Sequence, residues 1–390
     1  MRALLLPIGA VGLALLLFGG FVGLAGASPP EAWAILFKGA FGDWFSWQTP
    51  LQRAPPLLPP ALCVALPARA GLVVIGGEGA LVLGGLAGAW LAQGLPASLG
   101  WGGTVALCAA GAAAGAAWIA LAGALRQWRG VNETISSLLL AYVAIGLFKH
   151  LVEGPLRDPA SLNKPSTPAL PEGLLIPGIA GSDVHGGLVL GVAACVLAAF
   201  WLRWTPSGFA LRVVGGNLRA AQLVGLPARR LVVVACALGG AAAGLAGAVE
   251  VAAVHTAANA SLIAGYGYAG ILVAFMARHQ PLAIVPVAIL FGGFGAAGSL
   301  LQRRLGLPDA SVLVLQGLAF VLILASEALR DVDWSALARK VFGIELPATG
   351  LAHPPPPPPP PPRGGGGAGP PPPWGGGGGG AAPPPPPPPP

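Results

Sequence analysis

The sequence predicts an all-α, polytopic membrane bundle of about ten transmembrane segments, including a discontinuous second helix. Three observations carry this expectation. Hydrophobic residues make up 55% of the 390 and charged residues only 9%, against about 25% charged in a soluble domain. So few charges cannot cover a water-facing surface. The apolar residues fall in many separate runs, and the arginines gather at the ends of those runs, where orientation in a bilayer needs them. The net charge of +7 is therefore not a nucleic-acid footprint, because no Lys/Arg stripe is interleaved with aromatics.

Residues 4–26 form one apolar run behind Arg2. It is too long for a signal-peptide core and reads as the first span, amino terminus inside. Residues 28–56 are mixed and aromatic-rich, and Trp33, Trp44 and Trp47 suit a headgroup interface outside. Residues 57–92 are apolar but broken by Pro59, Pro60, Pro67, Arg69 and Gly76-Gly77-Glu78-Gly79. Proline removes a backbone donor and glycine weakens a helix. Broken backbone survives at membrane depth only where protein or a water-filled cavity covers it, so this segment is expected to line the path. Residues 98–125 are a span rich in Ala and Gly, which lets helices approach closely, and 135–152 are the next. The Pro-rich stretch 153–183 leans acidic and is placed outside. Residues 186–201 descend and 231–254 ascend, 255–264 form a short external turn, and 266–276, 282–300 and 310–328 complete a membrane domain over 1–330. Both ends then lie inside, although Arg303 and Arg304 fall outside, against the trend. Trp334, Leu337, Ala338, Val341 and Phe342 recur at helical spacing, giving a short amphipathic cytoplasmic helix within 331–350. Residues 351–390 are a Pro/Gly-rich tail that cannot build a core.

The stretch 203–230 carries Arg203, Arg212, Arg219, Arg229 and Arg230 and no acidic residue. A basic loop between two spans is held on the cytoplasmic side. No GxxxxGK[ST] loop is present to cradle phosphates, no Ser/His/Asp or Cys/His constellation appears, and the histidines are scattered. Cys63, Cys108, Cys195 and Cys236 all sit in apolar runs and read as small buried hydrophobes. Catalysis and a metal site are not expected, and the chain is expected to bind no cofactor itself.

Four stretches resemble the inner-membrane permeases of ABC importers, in the nucleoside and simple-sugar branch related to the branched-chain amino acid and ribose permeases. The first is Arg69-Ala70-Gly71-Leu72 followed by Ile75-Gly76-Gly77-Glu78-Gly79, with Val74 and Ala80 where the branch has amides. The second is Gly130-Val131-Asn132-Glu133-Thr134-Ile135-Ser136 through Tyr142, with Ala141 replacing an Asn. The third runs from Gly208 through Arg219-Ala220-Ala221 to Gly225-Leu226-Pro227, like a coupling loop that docks on an ATPase. The fourth is Gly265-Tyr266-Gly267-Tyr268-Ala269-Gly270, ending at His279-Gln280-Pro281. The resemblance covers residues 4–330. It implies ATP on a separate ABC ATPase subunit, a second permease subunit, an external substrate-binding lipoprotein, and coupling through Arg219, Ala220, Ala221, Gly225, Leu226 and Pro227. It also places Glu78, Val74, Asn132, Glu133 and Tyr142 on the substrate path.

Each of these has a plainer reading. A carboxylate inside a span costs about 2.5–3.5 kcal/mol, so Glu78 faces the path, makes a structural pair, for instance with Arg69, or stands at the interface. Asn132 and Glu133 stand where an N-cap and a first-turn acid belong. Glu250, with His255 near it, marks the outer end of a span. Trp101, Tyr266 and Tyr268 either stack on a base or sugar or sit at the membrane boundary. Two rival functions remain open from sequence: a secondary transporter or channel using Glu78 as a proton relay, and a degenerate structural membrane subunit.

Overall fold

The computed structural model describes residues 2–328, apart from 162 and 309. The amphipathic helix and the Pro/Gly tail expected from 331 onward lie outside the described residues. Fourteen α-helices follow in order: α1 (Arg2–Leu24), α2 (Pro29–Phe41), α3 (Trp44–Arg53), α4 (Leu58–Ala68), α5 (Gly77–Ala92), α6 (Trp101–Arg129), α7 (Glu133–Glu153), α8 (Gly187–Trp204), α9 (Pro206–Gly216), α10 (Leu218–Leu223), α11 (Ala228–Glu250), α12 (Tyr266–Met276), α13 (Pro281–Leu305) and α14 (Ser311–Ala328). Among the described residues the only β-pairing is two isolated bridges. The chain is an all-α bundle of the expected class.

Among the described residues, five helices are long and apolar enough to cross a bilayer: α6, α7, α8, α11 with its extension to His255, and α13. Five shorter apolar stretches, in α1, α4, α5, α12 and α14, fill the remaining places in the expected order. The helices α4 and α12 have 11 residues each. At 1.5 Å per residue each covers about 16 Å, roughly half the hydrocarbon core. The expected discontinuity over 57–92 is present as α4, an irregular stretch 69–76, and α5. The expected segment 266–276 is present with the same bounds as α12, and it too is a half-helix.

The molecule is built around α11, which packs on α6, α5 and α4. Small residues make this possible. A side-chain carbon on Gly84 would collide with the backbone of Gly244, and one on Gly115 with the carbonyl of Gly240. Backbones therefore meet directly along the α5–α6–α11 seam, as in membrane interfaces rich in small residues. Leu58, Leu62, Leu66, Leu211, Val232 and Ile284 form the largest apolar cluster, toward the basic loop. Leu81, Leu86, Leu107, Phe148 and Leu262 form a second, toward the opposite end.

The segment 28–56, expected as an external connection, forms α2 and α3, and both dock on α13. Phe18 and Val22 of α1, Leu36 of α2, Leu301 of α13 and Leu315 of α14 share one cluster. Trp33 is not free at an interface; its indole donates to the Leu15 carbonyl at 3.1 Å. Trp44 and Trp47 are exposed.

The described residues of the connection between α7 and α8 also pack on the bundle. The helix α11 runs into a π-turn, Val251–His255. The connection lies across this turn and the chain after it. Ile176 N–H donates to Ala252 (3.0 Å), Leu170 N–H to Thr256 (2.7 Å) and Thr167 N–H to Ala258 (3.0 Å). The span end is thereby stapled to the loop that leads into α12.

Candidate functional site

The interruption between α4 and α5 and the start of α12 meet at one point. After Ala68 the chain turns through Gly71 (φ +78°) and loses its helical hydrogen bonds over 72–75. Buried backbone must find other partners, and α7 supplies them. Ser137 Oγ accepts from Ile75 N–H at 3.0 Å, and Thr134 Oγ1 donates to the Val73 carbonyl at 2.9 Å. Helix α5 restarts at Gly77, with Glu78 in its first turn.

Glu78 is completely buried. Its carboxylate accepts from two backbone N–H groups at the start of α12: Gly265 at 2.8 Å on Oε1 and Gly267 at 2.6 Å on Oε2. One carboxylate thus caps α12 while standing in the first turn of α5, and the two helix N-termini meet head to head. Gly265 holds φ +80°, a left-handed conformation that turns the chain into α12. A side-chain carbon on Gly267 would collide with the Glu78 backbone. These glycines let donors reach the acid.

The other end of α12 is held by the opposite charge. Arg69, the C-cap residue of α4, donates to the His279 carbonyl through Nε (3.1 Å) and Nη2 (2.8 Å). An anion at the N-terminus and a cation beyond the C-terminus both favour the helix dipole. The ion pair weighed between Glu78 and Arg69 is not formed; the two residues grip opposite ends of the same half-helix.

The remaining expected path residues separate. Val74 is fully buried with Cys63, Ala80, Ile119, Cys236 and Ala243, so no aqueous path reaches it in this conformation. Ala141 is buried too and lies against Gly79. Asn132 is the N-cap of α7, its Oδ1 accepting from Thr134 and Ile135 N–H groups at 2.9 and 3.1 Å. Glu133 pairs with Arg126 at 3.3 Å. Tyr142 is exposed on α7, beside the hydroxyl of Tyr268 on α12.

A cavity of about 700 Å³ opens on the other side of the α12 start, lined by Arg53, Asp183, His185, Glu250, Tyr266 and Gln316 among others. Glu250 Oε2 lies 3.9 Å from His255 Nε2. His185 Nδ1 accepts from Gly187 N–H at 3.3 Å. Burial pushes this imidazole below its ordinary pKa, which keeps it neutral. Glu250 and Tyr266 were visible in the sequence. Arg53 and Gln316 were not, because α3 and α14 reach this cavity only through tertiary packing.

The basic loop is folded. Asn217 caps α10, accepting from Ala220 N–H at 3.0 Å, and Gly225 has φ +78°. Ala221 is buried and Leu226 half-buried against the body, while Arg219, Ala220, Gly225 and Pro227 are exposed. Leu223 and Val224 project outward, 87% and 72% exposed.

Residues 51–324 match the protein family described as branched-chain amino acid transport system / permease component. The chain belongs to that permease family. A glucose ABC transporter permease protein of Haloferax volcanii is 33% identical over 81% of this chain and 86% of the relative. A guanosine ABC transporter permease protein of Bacillus subtilis is 27% identical over 84% and 95%. A nucleoside ABC transporter permease protein of Lactococcus lactis is 26% identical over 74% and 82%. No solved structure matches. The chain is thus a multi-pass permease subunit of an ABC importer, a transport component. In this permease the family match spans both half-helices, the glycine seam and the basic loop.

Proposed function

We propose that this permease imports nucleosides or simple sugars across the plasma membrane, with both termini in the cytoplasm. It works with ABC ATPase subunits that bind the ATP, a second permease subunit and an external substrate-binding lipoprotein. The relatives' names, glucose and guanosine permeases, support a neutral, hydroxyl-rich substrate.

The observation that carries this reading is the head-to-head meeting of α5 and α12 at Glu78. Discontinuous helices whose ends converge inside a bundle are a recurrent way to build a transport site. Here Glu78 already occupies the converging donors, so little positive field is left to attract an anion. A neutral solute fits better. The path runs past Tyr142 and Tyr268, whose rings offer faces to a base or sugar. The second permease closes this side over Ile135, Leu139, Val143 and Leu147, which form an exposed apolar stripe on α7. The basic loop is the cytoplasmic coupling element. The end of α9 abuts the end of α4, where a side-chain carbon on Gly215 would collide with the Arg69 carbonyl. Arg69 in turn holds α12, so a push on the loop is passed to the half-helix.

Cysteines at Tyr142 and Tyr268, introduced without the four native cysteines, test the path. A nucleoside or sugar should protect both from an aqueous thiol reagent in the assembled transporter. A second reading makes the 700 Å³ cavity the substrate chamber, favoured by its Arg53, Asp183 and Glu250. Protection of cysteines at Ala253 and Gln316 instead would select it, and protection at neither pair would reject both.

A further inference from the structure

A second, smaller cleft of about 280 Å³ lies where α8 ends, α9 passes, α4 stops and α13 begins. Three arginines line it: Arg69, Arg203 and Arg212. Arg212 is close enough to Arg69 for the two guanidinium charges to repel. Among the described residues, no Asp or Glu lines the cleft and none pairs with these arginines. Like charges gathered without a counter-ion are unfavourable unless an anion joins them. The start of α13 adds to the same field, for its first turn carries no acidic residue.

The remaining walls are apolar, from Ala199, Leu202, Pro281 and Leu282. On α8, Val196 and Phe200 stand two turns and one turn before Arg203 on the same face, and both are exposed. That stripe leads down a spanning helix into the arginine cleft. Trp204, 72% exposed beside Arg203, marks headgroup depth. A soluble anion would use the three charges but not the apolar approach. An acidic protein segment would come from the water side, where Leu223 and Val224 present a separate surface.

We infer that this cleft binds the phosphate headgroup of an anionic phospholipid, with an acyl chain along Val196 and Phe200. Basic pockets between spanning helices recognise such lipids through charge-assisted hydrogen bonds. The bound lipid would tie the end of α8 to α9 and to Arg69, and so touch the route between the basic loop and α12.

The test is lipid retention by the purified full chain, read by native mass spectrometry after exchange with phosphatidylglycerol or phosphatidylcholine. Wild type should retain phosphatidylglycerol preferentially. Arg203→Gln with Arg212→Gln, both at exposed positions, should weaken retention about tenfold or more. Arg229→Gln with Arg230→Gln removes the same charge from the same loop and should retain the lipid. Arg203→Lys with Arg212→Lys should keep most of it, which separates loss of charge from loss of fold. Equal loss in both Gln pairs, no preference between the lipids, or displacement of the lipid by millimolar inorganic phosphate would each overturn the assignment.

Discussion

Glu78 has two incompatible roles open to it, and the geometry separates them. As a proton relay it would need access to water. Instead it is buried, with both oxygens committed to Gly265 and Gly267. Hydrogen bonds to a charged group are worth about 1.5–3 kcal/mol each, and an orphaned donor costs about 1–3 kcal/mol. Glu78→Gln keeps the shape but replaces one acceptor oxygen with an N–H that faces another donor. It should lower the melting temperature of the purified protein by several degrees and reduce uptake. Glu78→Asp, one methylene shorter, should fall between Gln and wild type. A Glu78→Gln variant with unchanged thermal stability but abolished transport would favour a relay and refute the capping role. Asn132 and Glu133 yield a smaller expectation. Asn132→Ala removes an N-cap worth about 1 kcal/mol and should lower stability slightly while leaving substrate affinity unchanged in a binding assay.

At the scale of elements, the glycine seam sets the closest tolerances. The backbones of Gly84 on α5, Gly111 and Gly115 on α6, and Gly240 and Gly244 on α11 meet so closely that an added side-chain carbon would strike main chain rather than a movable side chain. Overpacking such a contact typically costs about 1–3 kcal/mol, occasionally more. Gly244→Val should abolish stable membrane expression. Gly146→Ala on α7, where nothing lies within 4 Å, should be neutral or stabilise by up to about 1 kcal/mol, measured as retained monodisperse protein after heating. The same contrast explains what the sequence revealed. Pro59, Pro60, Pro67 and the glycines around Glu78 announced the α4–α5 interruption because proline and glycine act locally. The amphipathic α2 and α3 were hidden because their partner, α13, lies about 250 residues away and only tertiary packing pairs them. The partners of Glu78 were hidden for a related reason. They are backbone N–H groups 187 and 189 residues away, exposed by a turn at Gly265, and a main-chain donor has no residue type to signal it. Val74 and Ala141 stand at motif positions where the resembling branch has amides, and both are buried in this conformation.

On the scale of the whole molecule, the proposed coupling requires force to enter through one small surface and reach the half-helices. The helix α10 has only six residues, too few to be stable alone. It is held by the Asn217 cap, by buried Ala221 and by the Leu226 N–H bond to the Ala221 carbonyl at 3.0 Å. Leu223 and Val224 point away from the body, which makes them the contact residues of the proposed docking. Burying each in a partner would contribute about 1.5–3 kcal/mol, or roughly ten- to hundredfold in affinity. Gly225 is a poor place to test docking, because its φ of +78° means that any side chain strains the turn whether or not a partner is present. Leu223→Asp and Val224→Asp avoid that difficulty, since both side chains are free of the fold. Each should leave expression and melting temperature of the isolated chain unchanged. Each should weaken co-purification of the ATPase at least tenfold and remove substrate-stimulated ATP hydrolysis. Ala221→Asp should differ in kind, destabilising the isolated chain by putting a charge into its buried contact. If the two outward variants hydrolyse ATP and import substrate as well as wild type, force enters elsewhere, and the route through α9 and Arg69 to α12 loses its starting point.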